Sequence, residues 1–119
     1  MLVIISDLHL GDGTCGKSIS QSAFRLFASR LEELAYSASW RDDGIYQPLK
    51  EINILLLGDI LDPLHSTRWL EVPHGGQGYV RPWTDHNDPA FAEMLGKITR
   101  DILRNNRHAI DVLFDITQG

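Results

Sequence analysis

The sequence predicts an α/β fold, a βαβ-type parallel sheet flanked by helices, and three stretches carry that prediction. The runs "LVII" (2–5) and "INILLL" (52–57) are short and continuously apolar, the pattern of strands buried on both faces of a parallel sheet. Between them, residues 20–39 bring Ala23, Phe24, Phe27, Leu31, Leu34 and Ala38 round at helical spacing, with Arg25, Arg30, Glu32 and Glu33 on the other side. Strand, amphipathic helix and strand in this order form a βαβ unit, whose strands run parallel through a right-handed crossover.

The remaining elements follow in order. "WRDDGIYQP" (40–48) is a polar turn region punctuated by Gly44 and Pro48. Residues 63–88 mix Pro63, Pro73 and Pro82 with Gly75, Gly76 and Gly78 around Trp69, Tyr79 and Trp83. They read as a long loop insertion, functional or semi-ordered, because structureless connections of this length are uncommon in compact domains. Asp88-Pro89 is an N-cap followed by proline at the first helical position. Phe91, Met94, Leu95, Ile98, Ile102 and Leu103 then continue a second amphipathic helix to Asn105 or Asn106. The tail "AIDVLFDITQG" (109–119) either extends that helix or forms a third strand, since short apolar runs do not settle the choice.

A chain of 119 residues allows one domain, near the lower limit for a sheet covered on both faces. Its 43% hydrophobic content argues for a folded protein. A net charge of −5 without any Lys/Arg run gives no nucleic-acid signal. Cys15, the single cysteine, excludes an internal disulfide and is expected to be inert. Met1 leads directly into "LVIIS", without the basic and long apolar segments of a signal peptide or a membrane span, so the expectation is a soluble, cytoplasmic protein.

Two chemistries compete for the strand ends. "GDGTCGKS" (11–18) satisfies the phosphate-loop pattern G-x-x-x-x-G-K-[ST], in which loop N–H groups and a lysine hold phosphate oxygens, here with Gly16, Lys17 and Ser18. Against it, "DLHL" (7–10) separates the strand from Gly11, and Asp12 puts a carboxylate into the anion cradle. Lys17 then becomes a solvated lysine or at most a phosphate contact. The second chemistry is metal binding. Asp7 and His9 follow the first strand and Asp59 the second, and sites in open parallel sheets form beyond the carboxyl ends of strands. Two carboxylates and an imidazole suit manganese, iron or zinc better than soft metals.

The blocks "SDLHLG" (6–11) and "LLLGDILD" (55–62) resemble the opening two motifs of the calcineurin-like metallophosphoesterases, D-x-H and G-D-x-x-D, and the resemblance covers residues 2–62. It implies the N-terminal half of a metallophosphoesterase α/β sandwich, a single partial domain over residues 1–119. It also implies hydrolysis of a phosphate mono- or diester by a metal-bound hydroxide. Asp7 and His9 would hold the first divalent ion and Asp59 would bridge two, with Gly58 allowing the turn and Asp62 as a supporting acid. The ion would be Mn²⁺, with Fe, Zn, Ni or Mg as alternatives. The family's G-N-H-[DE] and G-H-x-H motifs do not occur, so the second metal's ligands and the catalytic histidine have no counterpart in this sequence. The expectation is a truncated N-terminal portion, cut within the third motif, with little turnover by itself. The alternative is a metal-binding or interaction half-domain that self-associates or pairs with a complementary chain through an exposed sheet face or edge.

Arg68, Trp69 and Arg81 are the expected contacts to the phosphorylated substrate, although packing of the loop's own aromatics explains Trp69, Tyr79 and Trp83 at least as well. His65, His74, His86 and His108 are expected as exposed residues rather than replacement ligands.

Overall fold

The computed structural model describes residues 1–118. In chain order the elements are β1 (Leu2–Ser6), α1 (Gln21–Ala38), β2 (Asn53–Leu57), α2 (Pro89–Asn105) and α3 (Arg107–Gln118), with one turn of 3-10 helix at Thr67–Leu70. The strands pair in parallel, Leu2 with Asn53 through Ser6 with Leu57. Below the ladder, the terminal ammonium of Met1 donates to the Glu51 carbonyl at 2.8 Å and Asn53 N–H donates to the Met1 carbonyl at 2.9 Å.

Each helix begins where its capping chemistry places it. Ser20 Oγ accepts the Ala23 N–H and starts α1. At the other end, the buried Ser39 hydroxyl donates to the Ala35 carbonyl at 2.7 Å and accepts the Leu49 N–H at 3.2 Å, tying the helix end to the chain that returns to β2. The Asp88 carboxylate accepts the Ala90 N–H at 2.9 Å ahead of Pro89, which opens α2. Met94, Ile98 and Ile102 form its buried stripe. The tail takes the helical alternative because Ala109, Val112, Leu113 and Ile116 recur at i, i+3, i+4 and i+7, which gives α3 an apolar stripe; α3 packs against α1. Asn106 divides α2 from α3, its backbone leaving helical values at φ −108° and ψ 16°.

The hydrophobic core joins Leu10, Phe24, Trp69, Val80, Met94, Ile98, Ile102 and Ala109. These come from the helices and from the loops that follow the strands, so the core lies beyond the carboxyl ends of β1 and β2. The expectation of strands buried on both faces is therefore corrected. Residues paired in a parallel ladder point to the same side, which puts Leu2, Ile4, Leu55 and Leu57 on one face and Val3, Ile5, Ile54 and Leu56 on the other. The second face reaches α1, where Ile5 lines an apolar cavity of about 180 Å³ with Leu8, Ile19, Ala23, Phe24 and Phe27. The first has no covering layer among the described residues, and Leu2, Ile4 and Leu57 are 61%, 57% and 54% exposed.

The α/β class thus holds, whereas the layered sandwich does not: the described residues form two parallel strands and three helices. The molecule is elongated, with a radius of gyration of 19.4 Å against roughly 13–14 Å for a compact domain of this length. Along α1 only Phe24 and Leu31 are fully buried, while Leu34 and Ala38 of the expected stripe stay exposed. Among the described residues, no helix is long and apolar enough to cross a membrane.

Residues 63–88 are held in place by side chains. Trp69 enters the core, donates its indole N–H to the Pro63 carbonyl at 2.7 Å and lies 5.7 Å from the Phe91 ring. The Arg81 guanidinium donates to the carbonyls of Trp69, Val72 and Val80, closing the segment on itself, and lies over the Tyr79 ring.

Candidate metal centre

The strand ends continue side by side past the ladder. His9 N–H donates to the Asp59 carbonyl, Leu10 N–H to the Ile60 carbonyl and Asp62 N–H to the Leu10 carbonyl, each at 2.9 Å. This extension of the parallel pairing, completed by the Leu10–Leu61 bridge, carries residues 7–9 and residue 59 to the same place. Left-handed backbone then turns the side chains out of the ladder: φ is +56° at Asp7, +48° at His9 and +70° at Gly58. Aspartate and histidine tolerate this region better than most residues, and at Gly58 a Cβ would meet nothing within 4 Å, so the backbone angle alone calls for glycine. The two non-glycine positions, Asp7 and His9, concentrate local backbone strain at the end of β1.

Asp7, His9 and Asp59 each offer a ligand atom, and these atoms lie within 4.8 Å of one another. All three residues are exposed. His9 Nε2 stands 3.9 Å from Asp7 Oδ1, while His9 Nδ1 stands 3.9 Å from Asp62 Oδ2. One imidazole nitrogen thus faces the candidate ligand set and the other faces a carboxylate beyond hydrogen-bond distance. The donor set fits a divalent ion of hard or borderline character, open to solvent on one side.

Asp62 sits behind this group, its side chain only 15% exposed. Its carboxylate accepts the His65 backbone N–H at 3.3 Å and contacts His65 Nδ1 at 2.7 Å. Burial pushes the Asp62 carboxyl upward, but the hydrogen bonds from His65 and the charges of His65 and His9 outweigh it, leaving it below the usual carboxylate value of 3.8. His65 is the residue that sequence reasoning passed over. Its signal was the spacing D-P-L-H, which puts an acid and a histidine three residues apart in a turn started by Asp62. His9, Asp62 and His65 together line a depression of about 270 Å³ with the loop from Gly11 to Ser18.

The other expected contacts have internal partners. Trp69 is 4% exposed within the core. Arg68 pairs with Asp101 and with Glu71, which hold its guanidinium above its ordinary pKa. Arg81 serves backbone carbonyls, as described. His74 stands edge-on to Tyr79 and His86 stacks on Phe91, at centroid distances of 5.1 and 4.5 Å. His108 lies at a separate cavity, beside Lys17 and the start of α1.

The segment "GDGTCGKS" carries an anion of its own. Asp12 Oδ1 accepts the Thr14 N–H at 3.0 Å and the Thr14 hydroxyl at 2.6 Å, and Oδ2 accepts the Ser66 hydroxyl. Burial raises the Asp12 carboxyl, but the bonds from Ser66 and Thr14, aided by Arg68, prevail and lower it. Lys17 is exposed, and α1 starts only at Gln21, so Lys17 and Ser18 do not stand at a helix N-terminus. Comparison with protein-family models, curated proteins and solved structures finds no match.

Proposed function

We propose that this chain is a metal-dependent phosphoesterase centre in part, in which Asp7, His9 and Asp59 bind one divalent ion, Mn²⁺ foremost, and which has little turnover by itself. The observation that carries the reading is the convergence of these three ligand atoms at adjacent strand ends. A divalent ion held there would supply Lewis acidity toward a phosphate ester and acidify a water molecule. The chain's own residues do the rest: Asp7 and Asp59 balance the ion's charge, and His9 presents one nitrogen to it while Asp62 faces the other. Asp62 is in turn held by His65. The resemblance of "SDLHLG" and "LLLGDILD" to the metallophosphoesterase motifs supports a phosphate ester as substrate.

The test is Mn²⁺ titration by calorimetry and by electron paramagnetic resonance of the free ion. Wild-type protein binds one ion and Asp59→Asn binds none. Full Mn²⁺ affinity in Asp59→Asn refutes the assignment.

A further inference from the structure

We infer that Asp12 is the positioning residue of the metal centre: it fastens the loop after β1 to the loop after β2, and so holds Asp7 and His9 at their distance from Asp59. The inference rests on the metal reading above and adds to it a device outside the ligand set.

Beyond Asp62 the two chain segments no longer pair through backbone, yet side chains keep joining them. Asp12 accepts from Ser66 across the two loops, the Ser66 hydroxyl accepts the Arg68 N–H at 3.2 Å, and Thr67 N–H donates to the Thr14 hydroxyl at 2.9 Å. Thr14 is itself bonded to Asp12 through both its N–H and its hydroxyl. One carboxylate therefore organises both loops, and Ser66 on the far side is buried. Helix α2 grips the same two loops from beneath. Its Asp101 pairs with Arg68, and Asn105, with Asn106 just beyond the helix, donates to the Gly11 carbonyl at 3.0 and 2.8 Å.

The ligands themselves are exposed and like-charged in part, and the strained angles at Asp7 and His9 do not persist unless the surroundings enforce them. Backbone bonds at His9, Leu10 and Asp62 set the register of the two segments, while the Asp12 cluster closes them at the far end. This also accounts for the aspartate within "GDGTCGKS": the N–H and hydroxyl of Thr14 are turned to an internal carboxylate.

The experiment compares Mn²⁺ dissociation constants for wild type, Asp12→Ala, Asp12→Asn and Asp59→Asn, at a temperature where circular dichroism shows each to be folded. Asp12→Ala weakens Mn²⁺ binding by about tenfold, the lower end for loss of a residue that orients metal ligands. Asp12→Asn keeps an acceptor for Thr14 and offers an N–H to Ser66, and restores most of the affinity. A general loss of stability would lower the melting temperature without this pattern in the dissociation constants. Thr14→Val, which removes the acceptor of the Thr67 N–H, carries the expectation of weakened binding should Asp12→Ala not fold. Wild-type affinity in Asp12→Ala, or no rescue by asparagine, overturns the clamp while Asp59→Asn still loses the ion. Retained binding in Asp59→Asn overturns the metal reading and the clamp with it.

Discussion

Replacing Trp69 tests whether the long loop is part of the core or a surface that awaits a ligand. The side chain is 4% exposed, packs with Phe91 and gives its indole N–H to the Pro63 carbonyl. Truncating a buried tryptophan to alanine costs about 3–5 kcal/mol, a large share of the roughly 5–15 kcal/mol that holds a domain folded. Trp69→Phe is the gentler probe, since it keeps an aromatic ring against Phe91 while removing the donor to Pro63 and the volume of one fused ring. A carbonyl left without its partner in a covered site costs about 1–3 kcal/mol. With a urea slope of about 1–3 kcal/mol per molar, the unfolding midpoint of Trp69→Phe falls by roughly 1 M, and that of Trp69→Ala by more. Urea titration followed by far-ultraviolet circular dichroism measures both. If each variant unfolds within about 0.5 kcal/mol of wild type, as surface substitutions do, the core assignment of Trp69 is wrong. A ligand platform predicts that pattern, with the loss appearing in phosphate-ester binding instead.

The strand ends and the acid range give two further expectations. Gly58→Ala places a Cβ in open space but in left-handed backbone, so it costs about 1–2 kcal/mol, or roughly 4–8 °C in melting temperature for a domain of this size, and loosens Mn²⁺ binding; an unchanged melting temperature would show that the φ of +70° is not required. Asp12 and Asp62 both have carboxyls lowered from 3.8. A depressed native value means that the stabilisation is fully present above the unfolded value and is lost as pH falls below about 3.8 through the lowered values. Unfolding free energies measured from pH 6 to pH 2.5 therefore fall less steeply in Asp62→Asn than in wild type, and identical acid limbs would contradict the lowered pKa of Asp62.

Much of the local structure was legible in the sequence. Continuous apolar runs marked both strands, helical periodicity marked α1 and α2, and Asp88-Pro89 marked where α2 starts, because these features are decided by a residue and its near neighbours. The sequence also placed Asp7, His9 and Asp59 at strand ends, where parallel pairing of β1 and β2 brings their side chains to one point. What tertiary structure alone decided is which apolar surfaces find a partner. Hydrophobicity said that "LVII" and "INILLL" suit burial, but burial needs a second surface, and the core formed instead among Leu10, Trp69, Val80 and the faces of α2 and α3. The tail was ambiguous for the same reason: four apolar residues at helical spacing settle as α3 only when α1 is there to pack against. The Asp12 contact joins two loops, and Asp12 meets Ser66, 54 positions away, only because the sheet has already set the strands leading into those loops side by side. Such pairings leave no periodic trace in the chain, since they are set by where the backbone ends up rather than by what stands next to it.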